Sequence, residues 1–274
     1  MTISLDGTLL LAGAGKMGGA MLSGWLDRGL PSSSIVVLDP SPPPEVAEML
    51  DAKGVRRIAD AGALGAAPAV MLLAVKPQVM DAVFAPLARH AGPATLVLSI
   101  AAGRPLASFE GQLGPRAPVV RAMPNTPAAI GRGITVCCAN AHVTAAQRAT
   151  CDALLGAVGE VAWVDDEALI DPVTAVSGSG PAYVFLLAES LARAGVASGL
   201  SPELAARLAR ATVTGAGELL ARSDLDPATL RQNVTSPGGT TAAALSVLMG
   251  EHGLDDVMTR AVAAATARGR ELSK

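Results

Sequence analysis

A glycine-rich turn, Gly13-Ala14-Gly15-Lys16-Met17-Gly18, directly follows the apolar run Leu9–Ala12. The spacing suits a dinucleotide site between a strand and a helix: Gly13 makes the tight turn, Gly15 lets backbone approach a pyrophosphate, and Gly18 allows close packing. The free N–H groups of the helix start then face the phosphates. A glycine-rich turn without a ligand is the alternative, but the flanking elements favour the dinucleotide site.

An acidic residue, Asp39, ends the second apolar run, Ile35–Leu38. It lies about 20 residues beyond the last glycine of the turn, where a carboxylate accepts hydrogen bonds from the adenosine ribose. A carboxylate there also repels a 2′-phosphate, and no arginine follows it closely, so Asp39 favours NADH. The proline-rich loop beyond it still leaves NADPH open, through backbone N–H groups.

Further motifs follow predicted strands at the edge where open α/β sheets bind ligands. Ala74-Val75-Lys76-Pro77-Gln78 holds the chain extended before its proline and presents backbone to a cofactor, although Lys76 by itself is equally typical of a solvated lysine. Ser99–Gly103 and Arg121–Pro127 follow two later strands. Asn125 offers a donor and an acceptor to a nicotinamide amide, although asparagine is also a common turn residue.

A third candidate site, Val234-Thr235-Ser236-Pro237-Gly238-Gly239-Thr240-Thr241, directly precedes a predicted helix. Such a turn presents backbone donors suited to a carboxylate, and the hydroxyls of Ser236, Thr240 and Thr241 add reach. A helix cap is the alternative, since serine and threonine are common N-caps. Two glycines and three hydroxyls exceed what a cap requires, so the sequence favours substrate binding.

The elements that position these motifs fall into two halves. Residues 1–165 alternate apolar runs with amphipathic stretches, which predicts an α/β, doubly wound Rossmann-type sheet. The near-continuous apolar strands indicate a parallel sheet that is covered on both faces. The predicted strands are Leu9–Ala12, Ile35–Leu38, Val70–Val75, Leu96–Ile100, Val119–Arg121, Ile134–Cys138 and Val161–Val164.

Residues 166–274 carry apolar residues at helical spacing and predict an all-helical second domain. Ser201 and Pro202 are suited to begin one of its helices. That helix has a predicted buried face at Leu204, Leu208, Ala211, Gly215 and Leu219. The predicted helices of the chain are Met17–Arg28, Tyr183–Ala194, Thr241–Gly250 and Leu254–Arg268. Because many inward positions are alanine or glycine, we expect subunit contacts to complete this core.

Composition excludes several classes of function. The chain has 274 residues, a formal net charge of −3 and only 2% aromatic residues, so it lacks the positive field and the stacking platforms that nucleic acid requires. Its apolar stretches Ala61–Val75 and Pro172–Ala188 are broken by glycine and proline and fall short of the roughly 20 residues of a membrane span. No leader is evident, so we expect a cytoplasmic location.

The cysteines and histidines favour structural roles. Cys137 and Cys138 are adjacent, so their side chains would point to opposite faces of a strand. Together with Cys151 they make an odd number, and we expect reduced core residues. The histidines are scattered at positions His90, His142 and His252. No pairing has metal-ligand spacing, so no metal site is expected.

Taken in order along nearly the whole chain, the motifs resemble the pyrroline-5-carboxylate reductase family. The resemblance rests on the glycine turn, Ala74–Gln78, Met123–Pro127, Val176–Tyr183 and Ser236–Thr241, of which the last two are specific to this family. It implies a Rossmann domain followed by a helical dimerisation domain that interleaves with a partner subunit. It also implies rings of dimers, such as a decamer.

The resemblance further implies that hydride passes from NADPH or NADH to the imine carbon of 1-pyrroline-5-carboxylate, giving L-proline. Thr241 is the implied catalytic hydroxyl, which hydrogen-bonds the imine nitrogen. The implied substrate-binding residues are Val234, Ser236, Gly238, Gly239, Thr240 and Thr241. The predicted cofactor-binding residues are Gly13, Gly15, Lys16, Met17, Gly18, Asp39, Ala74, Val75, Lys76, Pro77 and Asn125. Where many relatives carry an asparagine near the adenosine ribose, this chain has Ala61.

Two alternatives stay open at this point. One is another imine reductase or a β-hydroxyacid dehydrogenase-type reductase, but the catalytic lysine of the latter is not apparent, because no lysine occurs between Lys76 and Lys274. The other is a non-catalytic dinucleotide sensor, which would have no need for the turn at Thr241.

Overall fold

The computed structural model describes residues 3–114 and 116–272. The strands are β1 (Leu9–Ala12), β2 (Ile35–Leu38), β3 (Arg56–Ile58), β4 (Val70–Leu73), β5 (Leu96–Ser99), β6 (Val119–Met123), β7 (Gly133–Ala139) and β8 (Gly159–Val164). The helices are α1 (Lys16–Asp27), α2 (Pro44–Lys53), α3 (Met80–Ala88), α4 (Leu106–Leu113), α5 (Ala145–Leu155), α6 (Ile170–Val173), α7 (Gly180–Ala197), α8 (Pro202–Arg222), α9 (Pro227–Asn233), α10 (Thr240–Leu248) and α11 (Leu254–Leu272).

Within these residues, eight strands form one sheet in the order β3-β2-β1-β4-β5-β6-β7-β8. The chain leaves β1 toward β2 on one side and later returns to β4 on the other side. Neighbouring connections therefore diverge between β1 and β4, and a crevice opens there at the carboxyl ends of the strands. The glycine turn follows β1 directly and so lies at this crevice.

The prediction of a wholly parallel sheet is wrong at two strands, β7 and β8, which run opposite to the other six. The strands from β3 across to β6 pair in parallel, but β7 pairs antiparallel to β6, and β8 is again parallel to β7. The connection from β6 to β7 contains only a short 3-10 turn at Thr126–Ile130, whereas a parallel crossover needs a dozen or more residues. The sequence pattern also does not predict β3, because two of its three residues are exposed arginines.

Alternate strand residues build one core on each face of the sheet, which confirms the doubly wound fold. Leu9 and Leu11 face a core that contains side chains of α1, α2 and α5. Leu10 faces the other core, which contains side chains of α3 and α4. In the second core, the rings of Phe84 and Phe109 pack edge to face with their centroids 5.2 Å apart.

The cysteines are free and buried, as the sequence predicts. Cys137 lies in the first core and Cys138 in the second, so the adjacent pair does point to opposite faces. Burial raises the pKa of the Cys137 thiol far above its ordinary value, and it raises the pKa of Cys151 to about 12. These thiols are therefore neutral packing groups at physiological pH.

The chain divides into two compact units, the first of which contains the sheet and the second of which is Ser179–Ala265. The first unit continues past β8 to Gly178 and takes up the end of α11 from Thr266. The sheet ends with β8 at Val164, but α6 still belongs to the first unit, so the domain boundary expected after Asp165 stays a prediction.

In the second unit, α7 packs against α8 through small residues. Ala205 and Ala209 are buried, and a Cβ at Gly195 would lie 3.2 Å from the Cβ of Ala205. Ser201 caps α8 as predicted, because its Oγ accepts a hydrogen bond from the Leu204 backbone. The predicted buried face of α8 is wrong for the single chain, since Leu204, Leu208 and Leu219 are about half exposed.

Large exposed apolar side chains are concentrated in this second unit. On α7 they include Phe185, with 65% of its surface exposed, and the neighbouring Leu186 and Leu187. Single exposed leucines are ordinary, but this many large exposed apolar side chains in one unit are typical of a protein interface. The leucine face of α8 belongs to the same class of surface.

Among the described residues, no helix combines the length and apolar character needed to cross a bilayer.

Candidate functional site

Two glycines of the turn after β1 are required by packing inside the chain. Gly13 has a positive φ of 91°, and a Cβ there would lie 2.9 Å from the carbonyl carbon and oxygen of Ala74. A Cβ on Gly18 would overlap the carbonyl oxygen of Gly13. These positions bring α1 close to β1 and β4, as the spacing predicts.

Gly15 is different, because none of the residues that the structure describes requires a glycine there. Its φ of −68° suits any residue, and a Cβ would meet no heavy atom within 4 Å. Gly15 is also the N-cap of α1 and makes no side-chain cap bond, so the helix start has no internal cap. Open space beside uncapped backbone N–H groups is suited to a pyrophosphate, and the turn therefore fits a dinucleotide.

The other predicted members of the turn begin α1. The side chain of Lys16 is exposed, and Met17 is partly buried against the first core. Lys16 can therefore reach solvent or a phosphate, whereas Met17 contributes its backbone N–H. Their assignment to cofactor binding stays a prediction.

Asp39 ties the glycine turn to the end of β2. Its Oδ2 accepts a hydrogen bond of 2.8 Å from the Ala14 backbone, and its Oδ1 accepts one of 2.9 Å from the Ser41 backbone. The Gly13 N–H donates to the Leu38 carbonyl at 2.9 Å, which closes the same corner. Each carboxylate oxygen retains a lone pair that can accept a ribose hydroxyl.

A cavity of about 610 Å³ opens beside Asp39. Its walls are largely apolar and include Leu38, Val75, Val79, Val83 and Pro86. Among the described residues that line it, the polar side chains are the carboxylates of Asp39 and Asp60, with no lysine, arginine or histidine. Apolar walls next to a carboxylate that can accept ribose hydroxyls suit an adenosine group. Ala61 also lines this cavity, and its place beside the adenosine ribose stays a prediction.

The motif after β4 brings its backbone to the glycine turn. The Ala74 N–H donates to the Ala12 carbonyl at 2.8 Å, and the side chain of Val75 lies beside Gly13. Lys76 is exposed and caps a short 3-10 turn that begins at Pro77. Ala74 and Val75 are therefore built into the cleft, while the side chain of Lys76 faces solvent.

Asn125 follows β6 and already uses one end of its amide. Its Oδ1 accepts a hydrogen bond of 3.0 Å from the Ile134 backbone on β7. In the described part of the chain, Nδ2 makes no hydrogen bond. The sequence predicts that Asn125 offers both a donor and an acceptor to a nicotinamide amide. Because the acceptor Oδ1 is already used, only the donor Nδ2 remains for that amide.

The hydroxyl-rich turn before α10 belongs to the second unit. Gly238 has a positive φ of 71°, and the Gly239 N–H donates to the Ser236 carbonyl at 3.1 Å. The N-cap of α10 is Gly239, which offers no side-chain cap. The hydroxyls of Ser236, Thr240 and Thr241 make no hydrogen bond among the described residues, so they are not helix caps. Val234, just before them, is 64% exposed.

The sequence analysis does not single out Asp60, and it names Arg121 only as the last residue of a predicted strand and the first residue of the motif Arg121–Pro127. Asp60 follows β3, which has no apolar run to mark it. Arg121 is a buried cation in the middle of the apolar strand β6. The signal for Arg121 is present in the sequence, because a lone charge inside such a run needs a partner.

No group of three or more histidine, cysteine or acidic side chains in residues 3–114 and 116–272 is placed to hold a metal ion.

Comparison with known proteins supplies independent findings. A family model described as pyrroline-5-carboxylate reductase dimerisation matches residues 167–272, and one described as NADP oxidoreductase, coenzyme F420-dependent, matches residues 8–103. The pyrroline-5-carboxylate reductase of Pseudomonas aeruginosa is 44% identical, with 96% of this chain and 95% of the relative covered. The enzyme of that name from Pisum sativum is 37% identical, with 97% and 96% covered.

Solved structures agree with these relatives. A pyrroline-5-carboxylate reductase from Coxiella burnetii superposes with a TM-score of 0.90 at 35% identity, covering 98% of this chain and 100% of the other. The Plasmodium falciparum pyrroline carboxylate reductase with NADP bound has a TM-score of 0.81 at 28% identity, covering 98% and 99%.

Proposed function

The chain belongs to the pyrroline-5-carboxylate reductase family, and we propose that it reduces 1-pyrroline-5-carboxylate to L-proline with a nicotinamide dinucleotide, the last step of proline biosynthesis. The observation that carries this proposal is the turn before α10, whose three hydroxyls are spared from capping the helix. A dinucleotide-binding protein without a substrate has no use for such a turn.

The first unit holds the cofactor. Gly15 and the start of α1 receive the pyrophosphate, Asp39 accepts the ribose hydroxyls, and Asn125 donates to the nicotinamide amide. When bound, the dinucleotide supplies a hydride for the imine carbon. The remaining cofactor contacts are backbone groups of Ala74 and Val75.

The second unit holds the substrate. Backbone N–H groups at the start of α10 bind the substrate carboxylate, because the positive end of the helix dipole lies there. The Thr241 hydroxyl hydrogen-bonds the imine nitrogen and orients the C=N bond. A protonated imine is already electrophilic, so orientation is the main demand on the protein and a strong acid is not needed.

NADH is the preferred cofactor, and two carboxylates support this choice. A 2′-phosphate in the adenosine cavity would face Asp39 and Asp60 without a cation among the lining residues. Asp60→Asn tests it, because an asparagine keeps the hydrogen bond that Asp60 accepts from the Gly62 backbone at 2.9 Å. The variant should raise kcat/KM for NADPH severalfold and leave that for NADH unchanged. If the ratio of kcat/KM for NADPH to kcat/KM for NADH does not change, Asp60 does not disfavour the 2′-phosphate and its proposed role is wrong.

The oligomer forms through the helical unit. The match to a dimerisation family and the exposed apolar side chains of α7 support a homodimer. A ring of such dimers, such as a decamer, is the larger assembly. Light scattering after size-exclusion chromatography measures the mass of the assembly. A stable monomer at micromolar concentration would refute the proposed oligomer. The cytoplasmic location stays a prediction.

The deciding experiment follows the oxidation of NADH and of NADPH, at matched concentrations, with purified protein and 1-pyrroline-5-carboxylate. Formation of L-proline is the expected result. Tight nucleotide binding without turnover would overturn the proposal and would favour a redox sensor.

A further inference from the structure

Arg121 is the third of the five residues of β6 and carries a charge into the interior. Only 3% of its surface is exposed, and it pairs across the sheet with Ser99 on β5 and Cys138 on β7. Its neighbours along the strand, Val120 and Ala122, are fully buried. A cation in such surroundings persists only when it is paired.

Two carboxylates face this guanidinium from the segment that follows β8. Nη1 donates to Oε1 of Glu167 at 3.0 Å, and Nη2 lies 3.8 Å from Oδ1 of Asp171 on α6. The same Glu167 oxygen accepts a hydrogen bond of 2.9 Å from the Leu106 backbone at the start of α4. One oxygen atom therefore joins the start of α4, the strand β6 and the segment after β8. We call Arg121, Glu167, Asp171 and Leu106 together the Arg121 junction.

The junction lies under the β6 end of the cleft. Two residues beyond Arg121, the strand ends at Met123 and leads into Asn125. The segment that carries Asp171 continues into an irregular π-helix, Thr174–Gly178, and a Cβ on Gly178 would lie 3.9 Å from the Met123 sulfur. Helical irregularities of this kind are frequent at functional sites.

The two halves of the dinucleotide have different supports in this fold. Asp39 places adenosine beside β2, on one side of the point where the strand order reverses. A dinucleotide crosses the crevice at that point, so its nicotinamide must lie on the side of β4, β5 and β6. The backbone there is held by the Arg121 junction, whereas the adenosine side is held by Asp39.

We propose that Arg121 is a positioning residue for the nicotinamide half of the cofactor site. It acts through Glu167 and Asp171, which hold the start of α4, the strand β6 and the segment that leads into the π-helix against one another. Arg121 itself touches neither cofactor nor substrate. This proposal rests on the proposed function only for the identity of the dinucleotide.

The opposite end of β6 offers a matched control. Oδ1 of Asn140 accepts from the Val119 backbone at 3.2 Å, and its Nδ2 donates to Glu110 on α4 and to the Ala117 carbonyl, both at 2.8 Å. Asn140 thus joins the same strand and the same helix as the junction, but at the edge away from the cleft. Asn140→Ala loosens these elements without touching the β6 end.

The experiment compares Arg121→Met, Arg121→Lys, Glu167→Gln and Asn140→Ala with the unmodified protein. Calorimetry measures the affinity for NADH and for ADP-ribose, which lacks the nicotinamide. Thermal unfolding measures the loss of stability, and steady-state kinetics separate kcat from KM. Glu167→Gln keeps an acceptor for both of its donors, so it tests the charge in a protein that folds even if Arg121→Met does not.

In the Arg121 variants, NADH affinity should fall about tenfold while ADP-ribose affinity changes less than twofold, and Arg121→Lys should recover part of the loss. Glu167→Gln should show a smaller change in the same direction. Asn140→Ala should lower the melting temperature but leave the NADH to ADP-ribose ratio unchanged. Equal losses for both ligands, or the same ratio change in Asn140→Ala, would overturn the proposal. Because these affinities need no substrate, failure of the reductase assay leaves this test intact.

Discussion

Replacing Gly15 by alanine separates cofactor binding from folding. The backbone of Gly15 lies in a region open to alanine, and the added Cβ would meet no heavy atom of the chain within 4 Å. The same substitution at Gly18 would force the Cβ into the Gly13 carbonyl oxygen. The two variants should therefore fail in different ways.

The size of the effect on stability follows from two opposing terms. Alanine is a poorer N-cap than glycine by roughly 0.5–1 kcal/mol. It also lowers the entropy of the unfolded chain, which stabilises by about 0.4–1 kcal/mol. These nearly cancel, so Gly15→Ala should shift the melting temperature by less than about 4 °C. Gly18→Ala should lower the free energy of unfolding by about 1–3 kcal/mol, because the added Cβ overpacks the contact between α1 and the glycine turn.

The effect on binding is large because the Cβ enters the space beside the uncapped start of α1. A hydrogen bond to a charged group contributes about 1.5–3 kcal/mol. Loss of one such contact to the pyrophosphate raises Kd by about 10- to 100-fold. Isothermal titration calorimetry with NADH and ADP-ribose should show this loss for both ligands, since both contain the pyrophosphate.

Gly111→Ala is the matched control. Gly111 is exposed within α4, and a Cβ there also meets nothing within 4 Å. The change should stabilise the helix by about 0.5–1 kcal/mol and leave cofactor affinity unchanged. If Gly15→Ala binds both ligands as tightly as the unmodified protein, or unfolds as Gly18→Ala does, the role given to Gly15 is wrong.

Three further changes test other parts of the molecule. Thr241→Ala should lower kcat about 100-fold while NADH affinity stays the same, because a hydroxyl aimed at the reacting nitrogen is lost, and Thr241→Ser should retain much of the activity in a steady-state assay. Burial raises the pKa of the Cys151 thiol to about 12 from an ordinary value near 9. Because the thiolate is the reactive form, thiol labelling of Cys151 at pH 8 should be about a thousandfold slower in the native protein than after denaturation. The neutral thiol contributes stability that is complete below pH 9 and is lost as pH rises toward 12, and chemical denaturation of Cys151→Ala should show a flatter alkaline profile. Phe185→Asp should reduce the mass of the assembly in light scattering, because it places a charge in an apolar surface that is 65% exposed in the single chain.

Local signals allowed the position of three predicted cofactor-site segments in the fold to be anticipated. The glycine turn, Asp39 and the motif at Ala74 each follow an apolar run, and residues that follow parallel strands meet at one sheet edge. Local signals do not show which hydrogen bonds the polar atoms of these segments make. The bond from Ala14 to Asp39, and the commitment of the Asn125 oxygen to Ile134, depend on segments that are distant in sequence or paired only in the folded chain.

Helix α8 shows the same difference between what is local and what depends on the folded chain. The spacing of Leu204, Leu208 and Leu219 marks one apolar face correctly, because helical periodicity is a local property. It cannot tell whether the chain covers that face by itself. In the structure, Ala205 and Ala209 meet α7, and the leucines stay half exposed.

The sequence by itself determined the strand and helix alternation, the glycine turn at the end of β1, the cap at Ser201 and the opposite faces of Cys137 and Cys138. These follow from periodicity, turn chemistry and the geometry of a strand, which act over a few residues. Only the tertiary structure decided the reversal at β7, the presence of β3 and the pairing of Arg121 with Glu167 and Asp171. Strand pairing and buried charge pairs are set by contacts between distant segments, whose free energy exists only once the chain has brought them together.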